Sequence, residues 1–202
     1  MLRFRLLHRR TVSLLKTVQG SALLEFAIVL PLLVVFVVGI YDFSGAFNQK
    51  QKIEQAAQEG AIIAGAQPMS DIQSSNPNPG SLQPVVTAVV NSLSGSGVLS
   101  NAACGPFIVT GPPPGLAWTY TISGCSSAYP ADDLVITINR GCVCGPCGSP
   151  CPSGPPYSVG TVVTIQYPYH WRFNSVIQLL IPGANYAATT RVTESATVHN
   201  QM

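Results

Sequence analysis

Residues 23–41 limit what this chain can become. Fourteen of these nineteen residues are Leu, Ile, Val or Phe, and the one charged side chain among them is Glu25. As a helix at about 1.5 Å per residue the segment is roughly 28 Å long, close to the hydrocarbon thickness of a bilayer, about 30 Å. The fourteen large apolar residues favour insertion by about 4–8 kcal/mol, and a single carboxylate costs about 3 kcal/mol at mid-helix and less near an end. Insertion wins even with Glu25 ionised. Pro31 would break a helix in water but is tolerated inside a membrane, where neighbours satisfy the freed carbonyl.

Charge sets the orientation. The 202 residues hold ten Lys and Arg against eight Asp and Glu, a formal net charge of +2. Five of the cations, Arg3, Arg5, Arg9, Arg10 and Lys16, stand in the first twenty residues with no acid beside them. A basic head before an apolar span stays in the cytoplasm. The N-terminus is therefore expected inside and the long C-terminal part outside. The positive charge is spent on this head, and no basic face remains for nucleic acid. A cleaved secretory signal is the bland alternative. It has a shorter apolar core and a small-residue cut after it. Here the apolar run continues into Tyr41, Phe43 and Phe47, and no A-x-A site follows.

An acid inside an apolar span is costly and by default marks a function. Its setting is Gly20-Ser21-Ala22-Leu23-Leu24-Glu25-Phe26. This resembles the processing site of type IV prepilins and pseudopilins, in which a basic leader ends in Gly, a prepilin peptidase cuts after it, and Glu is the fifth mature residue. Gly20, Ser21, Glu25 and Phe26 occupy those places. The resemblance implies a mature chain Ser21–Met202 and a new α-amine on Ser21. That amine is largely protonated at neutral pH, and Glu25 of a neighbouring subunit would pair with it. The competing reading is a Glu at headgroup level in an ordinary anchor. Further along, Leu30-Pro31-Leu32, Gly39-Ile40-Tyr41-Asp42-Phe43 and Gln55-Ala56-Ala57-Gln58-Glu59-Gly60-Ala61 resemble the TadE-like family, minor pseudopilins of the tight-adherence pilus. The likeness is strong over residues 20–66. Beyond them it is an outline only, with Tyr167-Pro168-Tyr169 after a strand. It implies the bacterial inner membrane, a prepilin peptidase, and pilins, other pseudopilins or the pilus assembly machinery as partners.

The expected organisation is a basic leader over 1–20, a membrane helix and stalk over 21–66, and an extracytoplasmic domain over 67–202. Ile53, Ala56, Ala57, Gly60, Ala61 and Ala64 recur at spacings of three and four, one face of a helix that Pro68 ends. These small residues suit either close approach between subunits or packing on the outer domain. A loop over 68–82 leads to a short helix with Val85, Val86, Val89, Val90 and Leu93 on one side, ended by Ser94-Gly95-Ser96-Gly97. Period-two alternation then marks strands at Trp118–Ile122, Leu134–Ile138, Val163–Tyr169 and Val192–Val198. A short apolar helix is expected over 176–181. The fold class is α+β: a long N-terminal helix on a mostly antiparallel sheet.

All six cysteines, Cys104, Cys125, Cys142, Cys144, Cys147 and Cys151, fall in the part placed outside. An even number there points to disulfides, with fifteen possible full pairings. The last four lie in a Gly- and Pro-rich loop, 142–156, read as a cross-linked hairpin connection. Cys144-Gly145-Pro146-Cys147 has the residues of a redox motif, but that chemistry needs a helix behind the first Cys, and the prolines that follow forbid one. Four clustered cysteines also suit zinc, against which stand the tight spacing, the missing His and the oxidising compartment. No metal or other cofactor is expected. Ser13-Leu14-Leu15-Lys16 lies in the leader. His170 and His199 have no acid beside them in sequence, and Asp132-Asp133 reads as a turn before a strand. An enzyme is not expected. The choice lies between a pseudopilin and an anchored envelope protein whose disulfide-rich domain binds a surface ligand. The position of the mature N-terminus separates them.

Overall fold

The computed structural model describes residues 18–100, 104–111, 116–143, 159–171, 173 and 189–200, with the side chains of 18–21, 142, 143 and 159 left aside. The chain is α+β, with a long N-terminal helix, a short second helix and a five-stranded antiparallel sheet. It divides into two compact units, Met1–Ser44 with Arg172–Tyr186, and Gly45–Trp171 with Ala187–Met202. Helix α1, Val18–Ala66, runs through both and keeps Pro31 in its interior.

In the first unit α1 is apolar on every side. Such a helix belongs in a protein core or in lipid, and here its window of highest hydropathy has none of its residues buried. Asp42 is the exception in burial, 2% exposed. Its Oδ2 accepts the peptide N–H of Phe173 at 2.6 Å.

In the second unit α1 changes character. Ile53, Ala56, Ala57, Ala61 and Ala64 are buried, the face expected from their spacing, and it packs inside its own unit. Gly60 shows how closely. A Cβ there would stand 2.6 Å from Val89 Cγ2 and 3.4 Å from Val163 Cγ1, so α1 is held against both α2 and the sheet. Helix α2, Gln83–Gly95, has Pro84 in its first turn and buries Val85, Val86, Val89 and Leu93. Pro fits there because its missing N–H is one the first turn does not use. The helix ends in a Schellman motif: Gly97, at φ +73°, donates to Ser94 O, and Val98 donates to Leu93 O at 3.0 Å.

The strands are β1 Phe107–Thr110, β2 Ala117–Ser123, β3 Asp133–Val143, β4 Val159–His170 and β5 Thr189–His199. They pair antiparallel in chain order. Trp118, Tyr120 and Ile122 of β2, Leu134, Ile136 and Ile138 of β3, and Val163, Ile165 and Tyr167 of β4 are buried. Each set shares one parity, so one sheet face carries the core. The opposite face is hydroxyl-rich, with Thr119 and Thr137 paired across β2 and β3 at 3.2 Å. Tyr167-Pro168-Tyr169 lies inside β4. Pro168 falls beyond the last β3 partner of that strand, Gln166, where a missing N–H breaks no ladder on that side. Cys104 and Cys125 form a disulfide with Cα atoms 4.4 Å apart, joining the approach to β1 to the exit of β2. The Cys142 backbone lies in β3. Cys144, Cys147, Cys151 and the helix expected over 176–181 lie outside the described residues.

Candidate functional site

Two features carry chemistry: the exposed surface of α1 and a polar clamp in the second unit. On α1, Leu23 is 72% exposed, Phe26 61% and Ile40 69%, and Leu24, Ile28, Leu32, Phe36 and Tyr41 are exposed with them. Glu25 stands on this surface, also exposed. The backbones of Gly20 and Ser21 belong to the first turn of α1. One exposed Leu is ordinary in a folded protein. A continuous helical surface of this kind requires a bilayer or other helices.

The clamp follows from strand parity. Arg140 shares the inward parity of Leu134, Ile136 and Ile138, and it is fully buried. A register shift between Asn139 and Cys142 is a bulge at Arg140 and Gly141, a device that re-aims side chains. The guanidinium Nη2 donates to Gln67 O at 2.9 Å and Nη1 to Pro68 O at 3.1 Å. A cation thus meets the carbonyls just past the end of α1, where the helix dipole favours it.

Asp71 supplies the countercharge. Its Oδ2 accepts the Ser81 N–H at 2.8 Å. Burial pushes this carboxyl up, but the Ser81 peptide, the nearby Ser81 hydroxyl, its own backbone and the Arg140 charge together outweigh burial and hold it below its ordinary value. The hydroxyl acts by proximity: Ser81 Oγ, Asp71 Oδ1 and Arg140 Nε are buried without a hydrogen bond. Burial lowers Arg140, and Asp71 opposes that. Burial and the Asp71 charge push the Tyr120 phenol up to about 12, so it stays neutral as a donor toward Asn78 Oδ1 at 3.4 Å. Trp118 Nε1 donates to Asn76 O at 3.0 Å. Three sheet side chains therefore hold the connection from α1 to α2.

His170 Nε2 meets Asp132 Oδ2 at 2.6 Å, and its ring lies on Tyr129, centroids 3.5 Å apart and planes within 7°. The residues beside His170 in sequence do not show this acid: Asp132 is 38 residues away in the chain. The turn before β3 is at Pro130-Ala131: Asp132 closes it, its N–H bonded to Tyr129 O at 3.0 Å, and Asp133 is the first residue of the strand. Burial first and the Asp132 charge second push the Tyr167 phenol up, with Ser126 opposing. Among the described residues no group of three or more His, Cys, Asp or Glu could hold a metal ion. The expected site residues were Gly20, Ser21, Glu25, Phe26 and the cysteines. Of these, Glu25 and Phe26 share the exposed surface and Cys104 is bonded to Cys125. Sequence reasoning gave no role to Arg140, whose signal was its parity.

A helix long and apolar enough to span a bilayer, Ala22–Ala66 by length and composition, is joined to an α+β unit, the arrangement of the class of single-pass anchored proteins with which it is consistent. Within that class, residues 20–61 match the model of the TadE-like protein family. The chain thus carries a TadE-like N-terminal segment. No match was found among curated proteins or solved structures.

Proposed function

We propose that the protein is a minor pseudopilin that takes part in assembling a tight-adherence pilus. Its α1 crosses the inner membrane once, with the basic leader in the cytoplasm and the sheet-bearing unit outside. The observation that carries this reading is the uncovered apolar surface of α1 with Glu25 on it, inside the segment that matches the TadE-like model. A prepilin peptidase cuts after Gly20 and leaves an ammonium on Ser21. Glu25 of one subunit then pairs with the Ser21 amine of another, pilin or pseudopilin. In a low-dielectric layer a paired carboxylate costs far less than a lone one. The outer unit, braced by Cys104–Cys125, caps, primes or tethers the filament.

Mass spectrometry of the membrane form should find Ser21 first when the peptidase is present. Glu25→Ala should still insert yet lose assembly, read as loss of the processed protein from sheared pili. An intact Met1, or equal co-purification of Glu25→Ala with pili, would sink the proposal.

A further inference from the structure

The second unit gathers aromatic side chains at one end, Phe47, Phe107 and Tyr129 exposed and Tyr169 and Trp171 half-buried. Antiparallel order puts the start of β1, the end of β2, the start of β3, the end of β4 and the start of β5 together there. At this end the Tyr169 phenol oxygen lies 2.7 Å from where a Cβ on Gly45 would stand. Gln49 Nε2 donates to Pro168 O at 3.3 Å. The end of β4 therefore borders the first turns of α1 in this unit, directly after the apolar span in sequence. Trp171 meets Tyr169 edge-on, centroids 5.1 Å apart, and gives its indole N–H to Thr190 Oγ1 at 2.8 Å. Phe47 is 62% exposed, Tyr129 48% and Phe107 45%. The opposite end, with Ala117, Asn139, Val162 and Thr197 in one row, shows no exposed Phe, Tyr or Trp among the described residues.

Trp and Tyr combine an apolar body with a polar edge and settle at the headgroup level of bilayers. We infer that this aromatic end rests in the phospholipid headgroup layer of the membrane that α1 enters. The inference depends on the membrane-anchored reading and goes beyond it, because an anchored unit can equally well stand clear of the surface. The sequence argues for lipid as the occupant: Gly45, against which Tyr169 sits, stands four residues after Tyr41, the last residue of the apolar span, so the anchor brings the bilayer surface to this end of the unit. The contact sets the depth of the unit and the direction in which it faces neighbours.

The chain has two tryptophans. Trp118 is fully buried, which leaves Trp171 as a reporter at the aromatic end. The full chain is reconstituted in phosphatidylcholine vesicles carrying a nitroxide either at the headgroup or deep in the acyl chain. The Trp171 signal is wild type minus Trp171→Phe, and Trp118→Phe provides a direct second reading. Flotation of the protein with the vesicles reports anchoring separately. The expected result is flotation, strong loss of Trp171 emission with the headgroup nitroxide, weaker loss with the deep one, and little loss with aqueous iodide. Flotation with Trp171 open to iodide and untouched by either nitroxide would overturn the inference and leave anchoring intact. Protection of Trp171 from both quenchers, with crosslinking between copies through this end, would overturn it in favour of a protein partner. Failure to float would overturn the anchored reading and this inference with it.

Discussion

Replacing Arg140 by Met tests whether the buried guanidinium holds the end of α1 in place. Met retains much of the apolar stem, so the packing lost is small. Two hydrogen bonds from a charged donor disappear, those to Gln67 O and Pro68 O, each in the class of about 1.5–3 kcal/mol. Two effects reduce that sum. Gln67 is half-buried and Pro68 exposed, so water recovers part of the lost bonding at their carbonyls. The desolvation cost of a fully buried cation is also returned. One effect adds to it, because Asp71 loses its countercharge. The balance is a destabilisation of about 2–4 kcal/mol, a large share of the about 5–15 kcal/mol that keeps a domain folded. Urea unfolding of the full chain in detergent, followed by the near-UV dichroism of Trp118, measures it. Pairing Arg140→Met with Asp71→Asn in a double-mutant cycle isolates the coupling. Lys50→Met, which breaks a partly exposed 3.5 Å ion pair with Glu194, is the control and should change stability by less than about 1 kcal/mol. An Arg140→Met loss no larger than that control, at unchanged m, would refute the clamp.

Gly60→Leu should destabilise the second unit by about 1–3 kcal/mol through overpacking, since even a Cβ falls 2.6 Å from Val89 Cγ2; Val89→Ala should recover part of the loss in the same urea titration. Asp71 is held below its ordinary value in the folded chain, so its stabilisation is present above the unfolded pKa and is lost as pH falls through the folded one. Thermal melts on the acid side of neutrality should show this limb, and Asp71→Asn should flatten it.

The second half of α1, helix α2 and four of the strands were legible because burial leaves a period. Ile53, Ala56, Ala57, Ala61 and Ala64 repeat at three and four, and the inward residues of β2, β3 and β4 at two. Strand β1, Phe107-Ile108-Val109-Thr110, gave no such signal: it has four residues, too few for a period to declare itself. Arg140 was legible in principle, because the alternation of Leu134, Ile136 and Ile138 carries it inward. A charge at the end of an apolar strand is normally read as the strand leaving the core, and it takes the carbonyls of Gln67 and Pro68, 73 and 72 residues away, to reverse that reading. His170 with Asp132, and Asp42 with Phe173 N, are of the same kind. Each pair joins residues far apart in sequence, and no local pattern encodes a register. The Cys104–Cys125 bond was one of several pairings that composition allows, and only strands β1 and β2 running side by side select it.

The candidate site divides between what hydrophobicity decides and what it leaves undecided. Exposed Leu23, Phe26, Ile28 and Leu32 give α1 a strong drive out of water, but lipid tails and a neighbouring helix are nearly equal hosts for them. Apolar area therefore favours a membrane for the helix and supplies little force to gather helices there. Association has to come from close packing and polar groups. Within the second unit the small residues are already engaged, Gly60 against Val89 and Val163, and Gly65 against Val198, so that face of α1 is taken by its own chain. On the span itself the charged group is Glu25. On the reading proposed above, its pairing with a Ser21 ammonium is what moves the equilibrium from dispersed anchors toward an assembly. Removing the carboxylate should then leave the amount of inserted protein unchanged and shift only the fraction recovered with pili.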